Sequence, residues 1–199
     1  DILIAALTGA LRTYMETRGD TPDRGDLRAM VPVNLRPSDG PLELGNEFGM
    51  VYLSLPVSTG DPLRRLFEVK RRMDVLKRSP EAVVVYKVLN LLGRLPGELA
   101  SFAVDHFAGK ASAVLTNVPG PEETLYFDGV PIRRILFWVP QSGNIGLGIS
   151  IVSYDGLVTL GLVIDEKLST NPEEILNQFH AEFETLVDQV STLSDSPAN

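Results

Sequence analysis

The stretch LGISIVSYDGLVTLGLVI, residues 147–164, decides the fold. Two apolar runs, Leu147–Tyr154 and Leu157–Ile164, flank the dipeptide Asp155-Gly156. An Asp-Gly pair between such runs specifies a two-residue hairpin, because both central residues of that turn need positive φ. The two runs are therefore antiparallel neighbours, with no helical crossover between them. Just upstream, Gly143, Gly146 and Gly148 stand in the order G-x-x-G-x-G and lead into a strand. A dinucleotide loop needs a helix N-terminus at that place, so these glycines read as a bend before a strand.

Working outward, ASAVLTNVPGPEETLYFDG (residues 111–129) begins with a small apolar run, Ala111 to Leu115, that reads as a buried strand. It stops at Thr116 and Asn117 and breaks at Val118-Pro119-Gly120-Pro121. Pattern alone leaves two roles open for Thr116 and Asn117. They pin the following turn, or the strand delivers them to a site. Further strands are expected near 125–127, 131–139 and 145–154. Leu27, Ala29, Val31, Val33 and Leu35 alternate with Arg28, Asn34 and Arg36, and Pro32 inside the run predicts an edge or a bulge. Phe48 to Leu55 is another strand, with Gly49 inside it.

The helical pattern is as clear. Residues 1–18 place Leu3, Leu7, Ala10, Leu11 and Tyr14 on one face, with Asp1 as cap. Asp61-Pro62 opens a helix that runs to about Arg78, with Leu63, Leu66, Val69, Met73 and Leu76 inward. Residues 81–93 and 96–109 form two more. Asn171-Pro172-Glu173-Glu174 starts the last, which carries Ile175, Phe179, Phe183, Leu186 and Val190 at helical spacing. Residues 191–199 read as a frayed tail. Helices precede, interrupt and follow hairpin-linked strands. The fold class is α+β, a layered mixed β-sheet with packed helices, rather than a regular βαβ repeat.

Bulk properties remove several functions. With no cysteine there is no disulfide, thiol nucleophile or cysteine-held metal. A net charge of −8 excludes nucleic acid as main partner. No apolar run approaches the roughly 20 residues of a spanning helix. The chain opens at Asp1 inside a helical pattern, from which a longer polypeptide is expected.

Candidate chemistry is sparse. His106 shares a helical face with Leu99, Phe102 and Ala103, and its ordinary reading is structural. His180 lies among Gln178, Glu182 and Glu184 and reads as a surface residue. Neither has a recognisable nucleophile or acid partner nearby in sequence, and two histidines so placed make no metal site. No G-x-S-x-G elbow occurs, nor a convincing carboxylate pair. One helix stands out. Arg64, Arg65, Lys70, Arg71, Arg72, Lys77 and Arg78 face only Glu68 and Asp74 in an acidic protein. The functional reading is an anion site, for a phosphorylated cosubstrate or a membrane surface. The plain reading is a solvated helix face.

Taken in order, DILIAALTGALRTYM, LRAMVPVNLRP, LGNEFGMVYLSLP, SAVLTNVPGPEETLYFDGVPI and ISIVSYDGLVTLGLVID resemble the C-terminal domain of the bacterial wax ester synthase/diacylglycerol acyltransferase family. That family belongs to the acyl-CoA-dependent acyltransferase superfamily of chloramphenicol acetyltransferase and condensation domains. The resemblance covers nearly the whole chain, from Asp1 to about residue 190. It rests chiefly on GNEFG and TNVPGP in this order. It implies a chloramphenicol-acetyltransferase-like half, one wall of a channel between two similar domains. It implies acyl transfer from acyl-CoA, as a co-substrate and with no tightly bound cofactor, to a long-chain alcohol or diacylglycerol. The base is a histidine of an HHxxxDG motif in the N-terminal domain, and that motif is absent here. Asp1 would match the acid of the family's Asn-Asp motif.

The resemblance turns Thr116 and Asn117 toward the channel, as residues that line the reaction centre or order its donors. Asn34, Arg36 and Asn46 are weaker candidates of the same kind, Asn46 being a natural turn residue beside Gly45. The basic helix would meet CoA phosphates or an anionic membrane. A cytoplasmic protein, peripheral at the inner face of the membrane or on lipid inclusions, is the implied setting. Two other readings stand beside this one. The first is a non-catalytic lipid- or CoA-binding module, and the second is acyl transfer to another acceptor.

Overall fold

The computed structural model describes residues 1–36, 47–94, 109–141, 145–168 and 171–194, the final two residues by main chain only. The elements are α1 (Ile2–Thr17), β1 (Leu27–Asn34), β2 (Phe48–Leu55), α2 (Pro62–Arg78), α3 (Glu81–Leu92), β3 (Ala113–Pro119), β4 (Tyr126–Phe127), β5 (Val130–Pro131), β6 (Leu147–Tyr154), β7 (Leu157–Ile164) and α4 (Pro172–Ser194). The expected helix over 96–109, with His106, lies outside the described residues save for its last position.

The chain forms two compact units. The first unites Asp1–Leu27 and Leu53–Arg78 with α4. Here α1 packs against both α2 and α4. Ile4 through Leu11 are buried without a break, so the middle of α1 is enclosed on every side rather than along the single stripe its pattern predicts. Leu7, Val69, Ile175, Phe179 and Leu186 make up much of this core. Asp61 caps α2 as expected, accepting from the Arg64 N–H at 2.8 Å. Asp1 precedes α1 but makes no side-chain cap. The last helix continues through Ser194, past the expected fraying point, while Val190 is 45% exposed instead of inward.

The second unit, Arg28–Tyr52 with Ser79–Ser169, carries the sheet. Its strand order is β2-β1-β3-β6-β7. β3 is parallel to both β1 and β6, whereas β6 and β7 form the antiparallel hairpin read from the sequence. Asp155 (φ 49°) and Gly156 (φ 73°) hold the turn. A second hairpin, β4–β5, turns on Asp128 and Gly129 with the same signs of φ. Its sequence signal is the same Asp-Gly pair, in Phe127-Asp128-Gly129-Val130. Met30, Val114 and Ile145 form a core cluster, with Met50, Tyr52, Ala111 and Val139 packed on it.

Two expectations change. Pro32 does not lie on an edge strand, since β1 sits between β2 and β3. Residues 134–139 alternate in exposure as a strand does, yet residues 132–139 join no ladder among the described residues. They cross the face of β6 and β7 instead. Ser150 Oγ donates to Phe137 O at 2.6 Å, and Tyr154 Oη donates to Ile132 O at 2.7 Å. Gly148 and Gly161 leave room for the crossing. A Cβ on Gly148 would stand 3.4 Å from Val139 O, and one on Gly161 would stand 3.2 Å from Phe137 O.

Candidate functional site

The site begins with a proline. Pairing of β1 with β3 covers only Ala29–Ala113 and Met30–Val114. Pro32 has no N–H to give, and β1 leaves its neighbour at this point. β3 continues paired with β6 along its whole length, from Ala113–Leu147 to Pro119–Ser153. From Leu115 onward, its main-chain edge toward β1 therefore has no ladder partner among the described residues. The parting opens a cleft of about 550 Å³ lined by Pro32, Asn34, Arg36, Glu47, Phe48, Thr116, Asn117, Val118 and Pro119.

Topology favours this place. β2, the strand after β1, lies on one side of the β1–β3 pair, and β6, the next strand of this sheet after β3, lies on the other. Ligand crevices in open sheets form at such switch points, outside the carboxyl ends of parallel strands. The volume falls within the range of small-molecule sites.

Four of the five candidate polar residues meet here, namely Thr116, Asn117, Asn34 and Arg36. Asn46 lies outside the described residues. Thr116 is buried and Asn117 is exposed. Neither side chain forms a hydrogen bond with another described residue. The turn after β3 is held by main chain instead. Gly120 N–H donates to Ser153 O at 2.8 Å, and Asp155 N–H donates to Pro121 O at 3.0 Å. This removes the turn-pinning role that pattern left open for Thr116 and Asn117. Asn34 does have a local task, since its Oδ1 accepts from Arg36 N–H at 3.1 Å. Sequence reasoning missed Glu47, Phe48, Val118 and Pro119 as lining residues. Their only signal was proximity to GNEFG and TNVPGP.

The bases of α2 divide sharply. Arg65 is fully buried, and burial lowers its pKa against the opposing pull of Glu182. Its guanidinium is spent inside the first unit. It pairs with Glu182 and donates to Ala5 O, Thr59 O (3.0 Å) and Gly60 O (3.1 Å). Arg65 therefore cannot serve a surface anion, which corrects the expectation for that residue. Arg72 is engaged by Asp26, Glu68 and Ser54 O. Hydrogen bonds from Arg71, then Arg72, hold the Glu68 carboxyl down to about 2. Burial pushes Asp26 up, but bonds from Ser58 and Arg72 outweigh it and leave its pKa lowered. Arg64, Lys70, Arg71, Lys77 and Arg78 remain exposed.

His180 is exposed, its ring edge-on to Phe179 at 5.8 Å. Among the described residues no cluster suits a metal ion, and no helix is long and apolar enough to cross a membrane.

Fold and cleft together define an α+β domain with a ligand-sized opening at a sheet switch point. The chain belongs to the WS/DGAT C-terminal domain family, whose model matches residues 44–187. An O-acyltransferase WSD of Acinetobacter baylyi is 26% identical over 187 residues, covering 92% of this chain and 40% of the relative. A probable diacylglycerol O-acyltransferase of Mycobacterium tuberculosis is 33% identical over 178 residues, 82% of this chain and 37% of the relative. The solved wax ester synthase/diacylglycerol acyltransferase of Marinobacter aquaeolei VT8 shares the fold, with a TM-score of 0.66, 23% identity and coverage of 92% and 42%. The chain thus spans about 40% of the length of the curated relatives it matches.

Proposed function

We propose that this chain is the C-terminal half of an O-acyltransferase that moves a fatty acyl group from acyl-CoA to a long-chain alcohol or diacylglycerol. The observation that carries the reading is the β1–β3 cleft, with the side chains of Thr116 and Asn117 bonded to no other described residue. Family membership supports an acyl-transfer chemistry for that cleft. A general base takes the acceptor's hydroxyl proton, and the alkoxide oxygen attacks the thioester carbonyl. The carbonyl oxygen gathers charge, then the carbonyl re-forms as the C–S bond breaks, and CoA leaves as the thiol with the proton returned by the base. This chain supplies no HHxxxDG histidine. Its part is to form a wall and to offer polar groups where charge develops. Asn117 has an amide N–H₂ to give, Thr116 has a hydroxyl, and the unpaired edge of β3 adds main-chain groups. Acyl-CoA is a co-substrate rather than a resident cofactor. A lipid acceptor places the working enzyme at a lipid surface, the inner face of the membrane or an inclusion.

The test is Asn117→Ala in the complete protein, assayed with palmitoyl-CoA and hexadecanol or a diacylglycerol. Asn117 is exposed, so stability should move by no more than about 0.5 kcal/mol. If the amide serves the reaction, kcat falls at least about tenfold, toward the loss of one oxyanion donor. Unchanged kcat would remove Asn117 from the reaction. Residues 1–199 alone should give no turnover, and full activity from them would overturn the reading.

A further inference from the structure

The outer face of α2 is cationic and apolar at once. Arg64, Phe67, Arg71, Val75 and Arg78 recur at spacings of three or four, which sets them on one side of the helix. Phe67 is 65% exposed and Val75 is 59% exposed. Lys70 and Lys77 flank the stripe and are exposed as well. Among the described residues, Arg64, Lys77 and Arg78 have no acidic partner within ion-pair distance. Arg71 and Lys70 hold Glu68 and Asp74 in surface pairs of the kind that are worth little in water. This concentration of positive charge stands in a chain whose net charge is −8.

We propose that this face of α2 docks on an anionic lipid surface. Such a surface uses both parts of the stripe. Headgroup phosphates answer the cations, while Phe67 and Val75 enter the boundary between headgroups and acyl chains. A soluble phosphate compound would leave the two apolar side chains unexplained. The stripe from Arg64 to Arg78 also runs about 21 Å along the axis, far more than one phosphate cluster. The buried Arg65 and the engaged Arg72 fix the helix from behind, so the exposed face is presented on a held scaffold. The inference does not depend on the acyl-transfer reading, because binding is measured without turnover.

The experiment is cosedimentation of the complete protein with phosphatidylglycerol/phosphatidylcholine vesicles and with phosphatidylcholine vesicles alone. Retention on the anionic vesicles is expected to weaken with added salt. Arg64→Glu with Arg78→Glu should lower that retention roughly tenfold or more. Phe67→Ser with Val75→Ser should weaken it severalfold at equal charge. Arg133→Glu with Arg134→Glu, which reverses two exposed cations elsewhere, should leave it unchanged. Circular dichroism confirms that each variant is folded. Equal retention on phosphatidylcholine would overturn the proposal. So would an equal loss in the Arg133/Arg134 variant, displacement by excess free CoA, or a stable dimer that Phe67→Ser dissolves.

Discussion

At the scale of the residue, charge is placed by what surrounds it more than by sequence spacing. Seven bases in one helix read as one face, yet Arg65 ends 0% exposed beneath it. Gly9 makes this arrangement feasible, because a side chain there would strike Arg65 and Glu182. Nothing in the pattern of α2 marks Arg65 as the buried one. Its partner, Glu182, is 117 residues away, and a local reading has no access to that distance. Glu68 leads to a pH prediction. Its folded pKa of about 2 lies below the ordinary glutamate value of 4.5. A depressed carboxylate contributes stability that is fully present above about pH 4.5 and is lost as pH falls toward 2. Glu68→Gln should therefore lower stability at neutral pH and flatten that part of the acid limb. Urea unfolding at a series of pH values measures both. An unchanged acid limb would show that Arg71 and Arg72 do not hold this carboxylate in solution.

At the scale of the element, hairpin turns and buried runs were legible because their cause is local. Asp155-Gly156 needs positive φ, and only a short list of residues supplies it cheaply. The segment 132–139 was misjudged for the same kind of reason. Alternation records which side chains face inward, and a strand lying across a sheet alternates as well as one lying beside it. What separates the two cases is where the main-chain groups find partners. Here the answer is Ser150 and Tyr154, both on β6. Tyr154 Oη also accepts from Leu125 N–H at 2.8 Å, so one phenol fastens both ends of the β4–β5 hairpin. Tyr154→Phe would leave Ile132 O and Leu125 N–H without that partner. A loss of about 1–3 kcal/mol is expected, with faster amide exchange at Leu125 and little change in the β6–β7 ladder. The cleft followed the same division. TNVPGP marked the end of β3 and Pro32 hinted at a broken ladder. That the two lie side by side depends on a parallel pairing between residues more than 80 positions apart.

At the scale of the whole molecule, the fold class was readable and the division of the chain into units was not. Each unit draws on segments far apart in sequence. The first takes residues from the beginning, the middle and the end. Removing the end should show this. A chain stopped at residue 171 lacks Ile175, Phe179 and Leu186, all buried. It should be recovered mainly in the insoluble fraction, whereas the intact chain stays in the supernatant. Soluble, cooperatively unfolding protein after that truncation would mean that α1 and α2 suffice for this core.

The same arrangement sets a clock on synthesis. Thr17 at the end of α1 bonds Glu174 at the start of α4 across 157 residues. A ribosome adding about 5–20 residues per second needs roughly 8–30 s to cross that interval. Through all of it α1, apolar around its middle turns, has no α4 to cover it. Loop closure on that scale is slow, and uncovered apolar surface invites self-association. Yield in cells should therefore respond to growth temperature and to holdase chaperones more strongly than the equilibrium stability of the finished protein suggests.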